Sequence, residues 1–336
     1  MSLIDISGMG HSGKSTVNCY LSEFEGLDVH PPGYEFNLFR LSGGLYSLNQ
    51  AIRNLADVQS FDYALNISST LINNILPSIP GGTITPAEAK SVLRLLTVGR
   101  VEAMPWHDAY YALGSKNFYL SKFKKTKLGS ALLSIKRSIP FLNKMKFREV
   151  SFPNLDHDSY WVEDFLSYLF TNERTVVNNL FGPNISAEQL ALIPTLKSIF
   201  VLRDPRDILS SIGHDKRYVP AFESATDNEQ QLLKQAFVGK NDVDFFIAQQ
   251  KVIRERVSRL CPRQSLVISF EDFCLKYNET SEKIHEFLTL SNYNHIRKKQ
   301  VFDPAKSASN IGLYKSYSDQ DMIRKVESEL KDHLYG

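Results

Sequence analysis

Eight residues near the start of the chain, Gly8-Met9-Gly10-His11-Ser12-Gly13-Lys14-Ser15, satisfy the pattern G-x-x-x-x-G-K-[ST] in full. The chemistry of this spacing is that of an anion grip. Glycines let successive backbone N–H groups turn inward into a nest, and the positive end of the following helix adds its partial charge. Lys14 supplies a mobile full charge, and Ser15 and Thr16 supply hydroxyl donors, so the residues Gly10, His11, Ser12, Gly13, Lys14, Ser15 and Thr16 are expected to hold a phosphate or a close analogue. The competing reading is a chance glycine turn with a surface lysine. The flanks argue against it: Leu3-Ile4-Asp5-Ile6 is a short β-branched run directly before the loop, and Lys14 through Leu21 is compatible with a helix directly after it.

A second cluster begins where another apolar run, Ser198-Ile199-Phe200-Val201-Leu202, ends in Arg203-Asp204-Pro205-Arg206-Asp207. An arginine at a strand end and Ser211 two helical turns on could clasp one phosphate, the guanidinium forking onto its oxygens. The plainer alternative is that Asp204, standing before Pro205, only caps a helix. A third candidate is Glu35, in Pro31-Pro32-Gly33-Tyr34-Glu35-Phe36, which follows the first helix and a proline-glycine turn and could take a proton from a hydroxyl. A loop glutamate with no such role is equally ordinary, and His30 and His11 are fallback bases. None of the eight histidines stands at a metal-ligand spacing with a second histidine or a cysteine, so no metal site is expected.

The elements that must position these groups can be read from periodicity. Arg174-Thr175-Val176-Val177 and Ser265 through Phe270 are two further short apolar runs of the kind that form buried parallel strands. Thr85-Pro86-Ala87-Glu88 carries the residues of a helix start and predicts a helix to about Gly99. Asn241 to Leu260 carries a 3.6-residue apolar stripe through Phe245, Phe246, Ala248, Val252, Ile253, Val257 and Leu260, and Ser318 to Leu334 is also predicted to be helical. Residues 45–170 show helical periodicity and no convincing strand. The expected architecture is therefore α/β: a three-layer fold with a central parallel sheet and a large helical insertion, 45–170, inside one domain spanning 1–336.

Composition bounds the partners. The chain has 336 residues, 43% hydrophobic and 23% charged, and its 39 Lys plus Arg against 37 Asp plus Glu leave a net charge of +2. That balance excludes a nucleic acid polymer held by global charge, so any anion must be held locally. Three scattered cysteines suit a reducing compartment, and no stretch reaches the roughly 18 apolar residues of a membrane span. A cytoplasmic protein is expected. One local feature departs from the balance: from Lys116 to Arg148 there are ten basic residues and no acidic one. They form either a solvated face or lid, or a platform for an anionic acceptor or for peripheral association with an anionic membrane surface.

Taken together, the Gly8–Thr16 loop, Arg203-Asp204-Pro205-Arg206-Asp207 with Ser211, Ile268-Ser269-Phe270-Glu271-Asp272-Phe273, and Asn310-Ile311-Gly312-Leu313-Tyr314-Lys315 resemble, in that order, four elements of the PAPS-dependent sulfotransferases, whose donor is 3'-phosphoadenosine-5'-phosphosulfate (PAPS). The resemblance covers the first 40 residues and roughly 174–330. It implies a P-loop-type fold and transfer of a sulfuryl group from PAPS to an acceptor hydroxyl, with 3',5'-adenosine bisphosphate as product and no metal. It further implies that Arg203 and Ser211 hold the 3'-phosphate, that the loop around Lys14 and His11 holds the 5'-phosphosulfate, and that Glu35 is the base. Departures are equally plain. His11 stands where the family's catalytic lysine usually is, Val17 where its adenine-stacking tryptophan is, and Ser307-Ala308-Ser309 where a 3'-phosphate-gripping R-K-G is, with Lys306 the nearest cation. Val177-Asn178-Asn179-Leu180 replaces a segment that carries a base histidine in cytosolic members.

The alternative is a P-loop small-molecule kinase using ATP and Mg²⁺, because Gly13-Lys14-Ser15 is also a kinase-type loop; Asp204 is then the metal-binding carboxylate. A GTPase-like module is the weakest reading, since Asn143-Lys144-Met145-Lys146 lacks the guanine-reading acid. The acceptor expected from the resemblance is a carbohydrate or glycoconjugate hydroxyl, with a small phenol or alcohol behind it. Trp106, Tyr110, Tyr111, Phe118 and Tyr119 would suit stacking on sugar rings, or would simply be core. No motif encodes the oligomeric state.

Overall fold

The computed structural model describes residues 2–31, 35–41, 43–54, 63–64, 67, 71, 97–103, 148–153, 161–170, 174–213 and 243–336. The chain divides into two compact units, one made of Met1–Arg40 with Phe170–Gly336 and the other of Leu41–Leu169.

The first unit is built on a five-stranded sheet, with β1 (Ser2–Gly8), β2 (Asp28–Val29), β5 (Arg174–Asn178), β6 (Lys197–Leu202) and β7 (Ser265–Ser269) in the order β2-β5-β1-β6-β7. Every pairing in it is parallel. The four apolar runs of the sequence are thus four of its strands, and two-residue β2 forms one edge, opposite β7. Parallel pairing needs a crossover with cover on both faces, and β1 shows the result. Leu3, Ile4, Asp5, Ile6 and Ser7 are all buried, whichever face they point to.

Helix α1 (Lys14–Leu21) follows the glycine turn and buries Val17, Tyr20 and Leu21, spaced three and four apart, against the sheet. They join a core with Ile4, Ile6, Val176, Ile199, Val201 and Ile268, closed by α6 (Phe270–Leu275) and α7 (Tyr277–Leu288) through Phe273, Ile284 and Leu288. Tyr20 lies edge-on to Phe24 and Phe273 there. A second cluster joins α4 (Pro205–Gly213), α5 (Val243–Ser258) and α8 (Gln320–Glu329) through Ile208, Val243, Phe246, Ile247 and Val326. The stripe expected on 241–260 is partly corrected: Phe246, Ile253 and Val257 are buried, whereas Phe245 and Val252 are among the exposed large apolar residues.

Two buried carboxylates fix the loops. Asp5 accepts hydrogen bonds from Ser7 Oγ (2.6 Å), Ser198 Oγ (2.9 Å) and the Leu180 N–H (2.8 Å), tying β1 to β6 and to the end of β5. Burial still dominates and pushes its carboxyl up to about 6. Glu23, just past α1, accepts from the Val301 and Phe302 N–H groups (2.9 Å each) and meets His295 Nε2 at 2.6 Å. There burial works against the charge and the hydrogen bonds prevail, holding it below the usual carboxylate range.

The second unit contains α2 (Leu45–Arg53), α3 (Trp161–Leu169) and an antiparallel pair, β3 (Thr97–Ala103) with β4 (Arg148–Pro153). Trp161 Nε1 donates to Asn49 Oδ1 at 2.9 Å. The strand pair corrects the expectation of an all-helical stretch. The signal was a period of two in Glu149-Val150-Ser151-Phe152, and β3 begins at Thr97, inside the helix expected to reach Gly99; 85–96 lies outside the described residues. So do the aromatic residues 106–119 and the basic stretch as far as 147.

Candidate anion-binding and transfer site

The site lies at the carboxyl ends of β1 and β6, neighbours in the sheet whose continuations part: from β1 the chain runs through α1 to β2 on one side, and from β6 it runs on to β7 on the other. Such a switch point opens a crevice in a parallel sheet.

The glycine turn is built for backbone approach. His11 (φ 64°) and Gly13 (φ 91°) are both left-handed, which turns consecutive peptide units inward. Gly13 is required twice over, since a Cβ there would lie 2.4 Å from Phe270 Cδ2. A Cβ on Gly10 would meet nothing within 4 Å, so the top of the turn is open. Lys14 is only 7% exposed, and its Nζ is folded back onto the carbonyl oxygens of Gly8 (3.2 Å) and Met9 (2.9 Å). Burial lowers its ammonium to about 8, with Glu35 opposing and Arg40 adding to the shift. Ser15, at the helix start, is exposed, and Thr16 Oγ1 donates to the Gly13 carbonyl at 2.6 Å. Ser12 Oγ is buried and has no hydrogen-bond partner among the described residues.

Arg203 reaches the same turn. Its Nη1 donates to the His11 carbonyl at 2.8 Å and to Ser211 Oγ at 3.1 Å, and its Nη2 donates to the Asn310 carbonyl at 2.6 Å. The guanidinium lies 5.0 Å from the Phe270 ring centroid, and its buried Nε has no partner among the described residues. Arg203 and Ser211, expected from the sequence to clasp one phosphate, are thus joined to each other by a hydrogen bond, in contact with the loop. The capping alternative is present as well: Asp204 accepts from the Arg206 N–H at 2.8 Å, and Arg206 closes on it through Nη2 at 2.6 Å.

Glu35 comes to the loop from the other side, Oε1 standing 4.0 Å from Lys14 Nζ. Its Oε2 accepts from Arg40 Nη2 at 2.5 Å. His30 packs edge-on against Phe36 and Phe170, and burial lowers its imidazole. Val17 is fully buried in the core, so it offers no face to a base.

Sequence reasoning missed several positioning residues. Asp207 accepts from the Gly312 N–H (2.8 Å) and the Tyr314 N–H (3.1 Å), pinning the C-terminal loop beside Arg203. Glu271 accepts from the Asp204 N–H at 2.8 Å, and Arg254 donates to the Arg203 carbonyl at 3.0 Å. Asp207 and Glu271 fell within quoted motifs without a role; Arg40 and Arg254 belong to no motif.

No family model and no curated protein matches this sequence. Solved structures do match it. The chain is similar to the sulfotransferase domain from the curacin biosynthetic pathway, at 13% identity over 98% of this chain and 96% of that one, with a TM-score of 0.40. It is similar to a sulfotransferase from Mycobacterium avium at 11% identity, over 98% and 75%, with a TM-score of 0.38. Retinol dehydratase in complex with androsterone and the inactive cofactor PAP matches at 14% identity, over 98% and 80%, with a TM-score of 0.32.

Proposed function

We propose that this chain is a sulfotransferase that moves a sulfuryl group from PAPS to an acceptor hydroxyl. One observation carries the reading: Arg203, joined to Ser211, hydrogen-bonds the carbonyl of His11 inside the glycine turn. Two anion grips therefore share a wall, as a ligand with phosphates at both ends of one nucleoside requires. The residues suit that ligand. The buried Ser12 hydroxyl and Arg203 Nε are unspent donors among the described residues.

PAPS would supply an activated sulfuryl group. Gly10, His11, Ser12, Gly13, Lys14, Ser15 and Thr16 would hold its 5' end, and Arg203 with Ser211 its 3'-phosphate. Lys14, and His11 beside it, would place positive charge where the leaving oxygen gathers electrons. Glu35 would accept the acceptor's hydroxyl proton on Oε1, with His30 and His11 as the other bases in reach of the sequence reading. The acceptor class is a carbohydrate or glycoconjugate hydroxyl, with a small phenol or alcohol as the alternative.

We read the chain as one domain, 1–336, with 45–170 as an insertion. Three unpaired cysteines favour the cytoplasm, and among the described residues no helix is long and apolar enough to cross a membrane. Peripheral membrane association through 116–148 stays part of this reading.

The kinase alternative is favoured by the position of Lys14 and the exposed Ser15, but it needs Asp204 for Mg²⁺. That carboxylate already serves Arg206 and the Tyr335 N–H at 3.0 Å. Calorimetry separates the two readings. We expect 3',5'-adenosine bisphosphate to bind without magnesium, and Lys14→Ala or Ser211→Ala to weaken it tenfold or more. Binding of ATP only with Mg²⁺, and none of the bisphosphate, would replace sulfuryl transfer with phosphoryl transfer.

A further inference from the structure

Glu35 and Arg40 are the polar ends of a short arc whose middle is core: Phe36, Leu38 and Phe39 are buried, the Phe36 N–H donates to the Asn178 carbonyl at 2.7 Å, and the Arg40 N–H closes a turn onto Asn37 at 3.1 Å. Arg40 is fixed from behind. Its Nε donates to the carbonyl of Asn179 at 3.2 Å, and its stem passes Gly182 so closely that a Cβ there would lie 3.1 Å from Arg40 Cδ. Residues 179–182 are in turn fastened to β1. The Asn179 N–H donates to Ile6 at 2.8 Å, the Leu180 N–H to Asp5 at 2.8 Å and the Gly182 N–H to Ser7 Oγ at 3.1 Å. A continuous chain of hydrogen bonds therefore runs from the central strand through Arg40 to one oxygen of Glu35, and the other oxygen faces Lys14.

We infer that Arg40 is the positioning residue of Glu35: it holds Oε2 so that Oε1 alone is presented at the transfer site. The inference rests on the sulfotransferase reading of that site. A guanidinium suits this task, because its rigid planar fork lets Nε lock onto the Asn179 carbonyl while Nη2 holds Oε2. The side chains are 30% and 40% exposed for Arg40 and Glu35, so the pair adds little to stability and its value lies in orientation. In the transfer itself the acceptor O–H bond breaks and its proton goes to Glu35 Oε1. The acceptor oxygen forms the new bond to sulfur, and the bond from sulfur to the bisphosphate breaks with its electron pair on the leaving oxygen. A carboxylate free to swing would meet that geometry in a fraction of its rotamers, and small misplacements cost about 10²-fold in rate.

The test uses the full chain and two readouts. The first needs no acceptor: the pH dependence of 3',5'-adenosine bisphosphate binding, which reports the Lys14 ammonium. Arg40→Ala should leave affinity at pH 7 within threefold and move the pH break upward, because the Arg40 charge no longer depresses the Lys14 ammonium and Glu35 relaxes onto it; in a Glu35→Gln background only the first effect remains and the break should move less. The second is sulfuryl release from PAPS to para-nitrophenol or water. There Arg40→Ala should lower kcat about 100-fold with the KM for PAPS unchanged, Arg40→Lys should restore part of the loss, and Arg40→Ala should cost nothing further once Glu35 is Gln. Equal pH shifts with and without Glu35, or additive losses of kcat, overturn the positioning role while the function stands. Absence of bisphosphate binding in the unaltered chain takes down both.

Discussion

Lys14 sits close to its own titration, and that gives the site a pH signature. Burial brings its ammonium down to about 8, and a bound polyanion requires it charged. Below pH 7 the proton is already in place; above 8 it must be taken up on binding, so affinity for 3',5'-adenosine bisphosphate should fall toward tenfold per pH unit. Calorimetry between pH 6.5 and 9.5 checks this, and a flat profile would remove Lys14 from the grip. Asp5 gives a second signature, in stability. Its folded value, about 6, lies above the 3.8 usual for an aspartate, so between these the folded state binds more protons than the unfolded one. Its contribution is therefore fully present below pH 4 and is lost as pH rises through 6, by on the order of 3 kcal/mol. Asp5→Asn should flatten that slope in denaturant titrations at pH 4 and 7. At Gly13, an alanine would combine φ 91° with an approach of 2.4 Å to Phe270; we expect Gly13→Ala to destabilise by about 1–3 kcal/mol and to abolish bisphosphate binding.

Among the elements, the turn from β6 into α4 ties the site together. Arg203 and Asp207, one helical turn apart, both reach the segment 310–314, the first through the Asn310 carbonyl and the second through the N–H groups of Gly312 and Tyr314. Arg206 lies 4.0 Å from the Tyr314 ring centroid and closes on Asp204 as well. The proposed phosphate grip and the loop 310–314 therefore both depend on the Arg203 guanidinium and on α4. Asp207→Ala should leave those two amides without their acceptor, a loss of about 1–3 kcal/mol locally. Hydrogen exchange should quicken at Gly312 and Tyr314 while β1 and β5 keep their protection, and bisphosphate affinity should fall although no contact to the nucleotide has been removed. Unchanged exchange at both amides would show that the loop holds itself.

For the whole molecule, a ligand that binds only the folded site protects whatever unfolds with it. At a hundred times its dissociation constant, 3',5'-adenosine bisphosphate should add about 2.7 kcal/mol to the unit formed by residues 1–40 and 170–336. Exchange of the deepest amides of β1, β5 and β6 should then slow by about 100-fold. The amides of α2 and α3, in the other unit, should be unchanged if the site is complete in the first. Slowing of equal size in both units would mean that they unfold as one.

Much of this was written in local order. The glycine turn with Lys14, the apolar runs that became β1, β5, β6 and β7, and the Arg203–Ser211 spacing are short-range patterns, in which residue type and period directly constrain the backbone. The antiparallel pair β3–β4 is illegible locally, because helical periodicity over a long stretch outweighs a two-residue period confined to one short run. What only the tertiary structure decided are the meetings of residues remote in sequence: Arg203 on the His11 carbonyl, Asn310 on Arg203, Asp5 beneath Leu180, and Arg40 against Gly182. Such contacts depend on which strands lie side by side in the sheet, and strand order comes from packing both faces at once, a property no window of sequence contains.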